Sequence, residues 1–264
     1  MNQGNAELQT QIACESGPMA GASARFEMKY LVSQAKAEAL THYLEPLLTP
    51  DKFSQCQPGG YYPVSSLYLD TDDLKLCRES LDGKKNRFKL RVRAYCDAIN
   101  SPRFLEIKRR MNAVIIKDRA QTSSAEVAAL FGNDLSGFAD LDDATRKQFQ
   151  MYLRSIYAKP KVLIRYMRKA YLAGLDHSVR ITLDKDLGYK QTTDPVVEMA
   201  GLGWQRVPLP GQILEIKFTG AYPGWVAEIV RRFGLQAQSV SKYTLGVRQA
   251  SQWVNGTAAW RSFE

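Results

Sequence analysis

Phe88-Lys89-Leu90-Arg91-Val92-Arg93 places a basic residue at every second position and an apolar residue between each pair. Side chains on a β-strand alternate between its faces, so this stretch predicts one apolar face and one cationic face. Four other stretches repeat the pattern. Glu27 and Lys29 alternate with Phe26, Met28 and Tyr30, and Glu106 and Lys108 with Leu105 and Ile107. Arg180, Thr182 and Asp184 alternate with Val179, Ile181 and Leu183, and Glu215 and Lys217 with Leu214, Ile216 and Phe218. One such strand is an ordinary solvated sheet face. Five of them, each with Lys or Arg on the charged side, describe a surface suited to a polyanion.

The segments between supply turns and helices. Residues 1–24 are rich in Gln, Ala, Gly and Ser without a period and read as a flexible leader. A single domain is expected over residues 25–253, followed by a tail at 254–264. Ser33 suits the N-cap of a helix over 34–44 that Pro46 and Pro50 end. Strands are expected over 64–70, 86–95, 103–109 and 114–119, with turns at Asp82-Gly83 and Asn100-Ser101-Pro102. Helical spacing marks 124–131 and 142–157, where Phe149, Tyr152, Leu153 and Ile156 share a side. Strands return over 161–172, 178–184 and 213–219, and helices near 222–233 and 241–253 close the chain. Gly234 suits the C′ position of the first of these. Charge on one face and grease on the other can be met in two ways. The strands can close into a barrel, charged inside and padded outside by helices, or form an open sheet with a charged solvent face.

Bulk composition narrows the partners. The chain has 264 residues with 45% hydrophobic content, enough for a sizeable core. A net charge of +9 and a pI near 9.3 favour anionic partners. Cys14, Cys56, Cys77 and Cys96 form no CxxC pair, and His42 and His177 are the histidines. That disfavours zinc and fits a reduced, cytoplasmic setting. No apolar run approaches the roughly 20 residues of a membrane span, and no secretory signal is evident.

In order, the strands read Phe26-Glu-Met-Lys-Tyr30, Ser66-Leu-Tyr-Leu-Asp70, Lys89-Leu-Arg-Val-Arg93 and Phe104-Leu-Glu-Ile-Lys108. Val179-Arg-Ile-Thr-Leu-Asp184, Leu214-Glu-Ile-Lys217 and Ser241-Lys-Tyr243 follow. Each is short, but seven in this order over roughly 25–247 resemble the VTC domain of polyphosphate polymerases, within the triphosphate tunnel metalloenzymes. The resemblance implies an α+β fold: an antiparallel eight-stranded tunnel with a charged lumen, flanked by helices. It implies transfer of the ATP γ-phosphate onto a growing polyphosphate chain with Mn²⁺ or Mg²⁺. It assigns phosphate contacts to Lys29, Arg91, Arg93, Lys108, Arg168, Arg180 and Lys217, with Lys89, Lys117, Arg119 and Lys242 gripping the chain. Of Arg165 and Arg168, which face opposite ways, the motif favours Arg168. Glu215 is the best-matched metal ligand, with Glu27 and Glu106 as further candidates.

Phosphoryl transfer needs positioning and charge stabilisation more than a protein nucleophile, and this residue set supplies both. Plainer readings stand beside it. The Lys89, Arg91 and Arg93 face could be merely solvated; Glu215 could be an internal ion pair; Glu27, Glu106 and Asp184 could neutralise neighbouring cations. Many tunnel triphosphatases begin Glu-x-Glu-x-Lys, whereas here Arg25 stands in place of the first glutamate. That fits the polymerase branch and leaves an inorganic triphosphatase or a non-catalytic polyphosphate sensor as alternatives. Nucleic acid is disfavoured because aromatics do not interleave with the basic strands as a stacking platform would need. The resemblance is to the compact bacterial form, so a membrane link would come through a separate partner protein.

Overall fold

The computed structural model describes residues 25–98, 100–112, 114–132, 143–173 and 178–255, with backbone alone at residue 25 and residues 252–255. The expected leader, Cys14, His177, Trp260, most of the tail and the side chain of Trp253 lie outside the described residues. In chain order the elements are β1 (Arg25–Val32), α1 (Gln34–Leu44), β2 (Thr49–Pro50), α2 (Lys52–Gln55), a 3₁₀ turn (Pro58–Gly60), β3 (Tyr62–Asp70), α3 (Lys75–Leu81) and β4 (Asn86–Ala94). There follow β5 (Arg103–Met111), β6 (Val114–Thr122), α4 (Ser124–Ala129), α5 (Ala144–Ser155), β7 (Lys159–Ala173), β8 (Val179–Gln191), β9 (Gln205–Arg206), β10 (Gln212–Thr219), α6 (Gly224–Arg232) and α7 (Lys242–Asn255).

Local chemistry accounts for most of these boundaries. Ser33 caps α1 by accepting from the Lys36 amide, and the helix stops just before Pro46. Ser123 and Glu126 form a reciprocal capping box on α4. Gly234, at φ +54°, follows the C-cap of α6 as expected. The helix α3 falls in a stretch read only as the approach to a turn. Its N-cap, Leu74, has no side-chain cap; instead the buried Asp70 carboxylate accepts from the Leu76 and Cys77 amides at 2.9 Å. A cap six residues upstream leaves no local sequence signature.

The strands form one antiparallel α+β sheet in the order β1-β10-β8-β7-β3-β4-β5-β6, with β2 beside β7 and β9 beside β8. The main path thus has the eight strands expected. Its end strands, β1 and β6, share no backbone pairing among the described residues, so backbone hydrogen bonds do not close the ring. Side chains span the gap: Lys108 on β5 reaches Glu27 on β1 at 2.8 Å. The sheet is therefore curled into a tunnel-like form with an open seam.

Two apolar layers pad the outside. Leu40 and Leu44 of α1 and Val226 and Ile229 of α6 pack on Tyr30, Ile181, Leu214 and Ile216. Val127 of α4 and Phe149 and Leu153 of α5 pack on Leu90, Val92, Leu105 and Ile107. The last helix departs from the expectation that helices cover only the apolar face. Tyr243, Val247 and Ala250 of α7 pack with Val64, Tyr68, Ile164 and Tyr166, which share the face of the charged residues. So α7 fills part of the concave side.

Gly211 and Gly246 sit where chain segments approach closely. A Cβ on Gly211 would overlap the Val32 carbonyl, which is backbone; on Gly246 it would meet Cδ1 of Ile164, the movable end of a side chain. Gly211→Ala is expected to destabilise by about 1–3 kcal/mol. Gly246→Ala should cost less, because Ile164 can rotate and alanine favours a helix interior by about 1 kcal/mol. Urea unfolding of both variants checks the order.

Candidate active site

Strand register decides which side chains share the lumen. Glu27 lies opposite Lys217 and Lys29 opposite Glu215; Lys217 and Glu215 lie opposite Arg180 and Thr182. Arg168 faces Asp184. On the other wall Arg91 faces Tyr68 and Glu106, Lys89 faces Lys108, and Glu106 and Lys108 face Arg119 and Lys117. Directly opposed residues lie on the same side of a sheet. The structure therefore brings every strand residue of the expected site onto one concave face, and Lys242 joins them from the first turn of α7. Arg165 turns outward, stacking on Trp204 at 4.3 Å, while Arg168 turns inward.

The cations outnumber the carboxylates, and Glu106, Asp184 and Glu27 each serve more than one. Glu106, with 0% of its side chain exposed, meets Arg91 at 2.6 Å, Lys117 at 2.7 Å, Arg119 at 3.7 Å and Arg93 at 3.8 Å. Burial alone would raise its pKa, but these cations hold it well below the usual carboxylate range. Asp184 takes a two-pronged contact from Arg168 at 2.7 and 2.8 Å and an ion pair from Lys242 at 2.6 Å. Burial again opposes ionisation, yet Arg168 and Lys242 bring Asp184 down to about 2.

Glu27 and Glu215 form the remaining acidic pair. Glu27 meets Lys108 at 2.8 Å and Lys29 at 2.9 Å, and Glu215 meets Lys217 at 2.5 Å. Burial and the charge of Glu215 push Glu27 up, but Lys217, Lys29 and Lys108 outweigh them and keep it low. Glu215 is likewise held low by Lys217 and Lys29 against burial. Both stay ionised and close enough to repel, which suits a shared cation. Glu106 lies on the same face, ringed by Arg91, Arg93, Lys117 and Arg119. Among the described residues no cluster of three or more His, Cys, Asp or Glu is present.

Three lumen lysines, Lys89, Lys108 and Lys117, are tuned downward. Burial, with Lys29 and Lys108 nearby, lowers Lys89 to about 7. Burial and Lys29 lower Lys108 to about 8. Burial also lowers Lys117 to about 8, helped by Arg93 and Arg91 against Glu106. Lys117 still shows 41% of its side chain to solvent, so water in the lumen softens that effect. Lys29 moves the other way: burial lowers it, but Glu215 and Glu27 raise it further.

Several contributors were not among the expected site residues. Asp51 is buried and pairs with Arg180 at 2.7 Å while capping α2 through the Ser54 amide. It lies in a loop without periodicity; only the Asp-x-x-Ser spacing hinted at a cap. Tyr68 accepts from Arg91 at 2.9 Å and Ser66 from Arg93 at 3.2 Å. Lys89 donates to Ser241 at 2.8 Å and Lys29 to the Val240 carbonyl at 3.0 Å, tying the start of α7 to the lumen.

A curled sheet lined by paired cations and buried carboxylates defines a protein class built around phosphate chemistry. A family model of the VTC domain matches residues 24–251, and the chain belongs to that family of tunnel-fold phosphoryl-transfer proteins. Comparison with curated proteins returns no match. Among solved structures, a candidate adenylate cyclase from Bacillus halodurans aligns with TM-score 0.47 and 16% identity, covering 83% of this chain and 94% of that one. Another from Vibrio parahaemolyticus aligns with TM-score 0.46 and 12% identity, covering 85% and 98%.

The tuning of Lys89 has a measurable consequence. In the folded protein it is charged below about 7; in the unfolded chain it is charged below about 10.4. Its unfavourable buried charge is felt fully in acid and fades as pH rises between those values. Lys89→Met should therefore raise Tm more at about pH 6 than at about pH 9.5. Thermal melts of wild type and variant at both pH values check this.

Proposed function

We propose that the protein is a polyphosphate polymerase-like phosphotransferase. A terminal oxygen of the polyphosphate chain attacks the γ-phosphorus of ATP; the bond to the β,γ-bridging oxygen breaks, ADP leaves, and the chain gains one phosphate. The observation that carries this reading is the convergence of Lys29, Arg91, Arg93, Lys108, Arg168, Arg180 and Lys217 on one enclosed face.

Each residue has a physical task. Arg91 and Arg93 offer planar forks for paired contacts to phosphate oxygens, and the lysines act as point charges. Arg168 and Arg180 stabilise charge that spreads over the transferring group. Lys89, Lys117, Arg119 and Lys242 hold the extended chain. Glu27 and Glu215 fit a divalent cation, Mg²⁺ or Mn²⁺, which keeps water and phosphate oxygens among its ligands. When bound, such a cation offsets charge on the phosphates. Glu106 instead orients Arg91 and Arg93. The free thiols of Cys56, Cys77 and Cys96 agree with a cytoplasmic setting. No helix among the described residues is long and apolar enough to cross a membrane.

Incubation with ATP and Mn²⁺, followed by gel electrophoresis, should show long-chain polyphosphate. Glu215→Ala and Arg91→Ala should each reduce product by about 100-fold or more while remaining folded. Phosphate release from tripolyphosphate without chain growth would point to the triphosphatase instead. Tight polyphosphate binding without turnover would point to a sensor.

The crowded cations also predict ligand stabilisation. Tripolyphosphate should raise Tm, reflecting about 2.7 kcal/mol at a free concentration 100 times Kd. Differential scanning calorimetry with and without the ligand measures it; an unchanged Tm would count against anion binding in the lumen.

A further inference from the structure

Thr182 lies on β8, directly opposite Glu215 on β10 and Ala170 on β7, with its side chain on the lumen face. It is 1% exposed, and Oγ1 has no hydrogen-bond partner among the described residues. A buried hydroxyl left this way costs about 1–3 kcal/mol. Folded proteins seldom keep such a group unless another state of the molecule uses it. A valine would fill nearly the same volume without that cost.

The neighbours say what that use is. Ala170 offers no polar atom. Opposed residues of an antiparallel pair place their Cβ atoms about 5 Å apart, which brings the hydroxyl within reach of the Glu215 carboxylate. One oxygen of that carboxylate, Oε1, is engaged by Lys217 at 2.5 Å. Lys217 keeps 30% of its side chain exposed to the lumen, so it can turn towards an incoming phosphate. When it does, Glu215 loses its nearest cation while remaining almost wholly buried.

We propose that Thr182 is the positioning residue for Glu215: its hydroxyl donates to the carboxylate oxygen that Lys217 gives up, fixing the carboxylate as it holds the divalent cation. The hydroxyl, without a partner among the described residues, is then free to donate to the carboxylate when the cation is held. This role rests on the reading that Glu27 and Glu215 hold a cation.

The test measures Mn²⁺ binding through the electron paramagnetic resonance signal of free Mn²⁺, with a non-hydrolysable imido analogue of ATP present. Wild type, Thr182→Val and Thr182→Ser are compared, alongside Tm and metal-free tripolyphosphate binding. Loss of an outer-shell partner typically weakens metal affinity about 10- to 100-fold, and Thr182→Val should fall in that range. Thr182→Ser should restore most of the affinity, and metal-free tripolyphosphate should bind both variants like wild type. Equal Mn²⁺ affinity in Thr182→Val and wild type would overturn the role, as would a Thr182→Ser variant as weak as Thr182→Val. Failure of wild type to bind Mn²⁺ would instead remove the metal reading itself, and this role with it.

Discussion

Like charge packed inside a curled sheet must be balanced before the sheet can curl at all. Glu106 does this for the β4-β5-β6 wall. It contacts four cations and has none of its side chain exposed. Two unit charges about 4 Å apart repel by roughly 4 kcal/mol at an effective dielectric near 20. Without a carboxylate at their centre, Arg91, Arg93, Lys117 and Arg119 would push their strands apart. Removing one partner of such a buried group costs far more than an exposed ion pair contributes. Glu106 is thus a structural counter-charge at the centre of this wall.

Period two was enough to find the wall strands, because each carries uninterrupted alternation over four to six residues. It located the lumen face of β1, β4, β5, β8 and β10, while the choice of Arg168 over Arg165 as the inward residue came from the family resemblance. Three features escaped it for physical reasons. The helix α3 is capped by Asp70, distant in sequence, so no local signal marks its start. Asp51 reaches Arg180 from an irregular loop, where no period exists to read. The apolar stripe of α7 looks like that of α1 or α6, and nothing in a stripe says which face of a sheet it will meet. Tyr62, Val64, Tyr68 and Tyr166 decide that; apolar and aromatic residues at lumen-facing positions are the signal that part of the inner wall is covered.

The remaining lumen carboxylates occupy the same donors a phosphate would take. Asp184 engages Arg168 through two parallel contacts, and Asp51 engages Arg180. A carboxylate and a phosphate present similar paired oxygens to a guanidinium. These acids fix the arginines by paired contacts, so phosphate binding need not immobilise freely moving side chains. The cost is competition, since an arriving phosphate must share or displace them. A phosphate carries more charge and more acceptor oxygens than a carboxylate, and several cations can gather around one group. The exchange therefore favours a polyanion that touches many cations at once over a single small anion.

Arginine and lysine divide this work by depth and by pKa. Arg93 and Arg168 are buried, and burial alone would lower their pKa values; Glu106 and Asp184 respectively overcome it and raise them further. Their charge is fixed at any pH the protein can survive, so they set a permanent positive floor. Lys89, Lys108 and Lys117 line more open parts of the lumen and are brought down to about 7 to 8 by burial and their like-charged neighbours. A polyphosphate placed among them supplies the opposite charge that the empty lumen lacks, which raises their affinity for protons. Binding the polymer and charging these lysines are then one linked event. Lowered lysine pKa values relieve part of the mutual repulsion of the lumen cations, and a phosphate chain held among them would restore that charge.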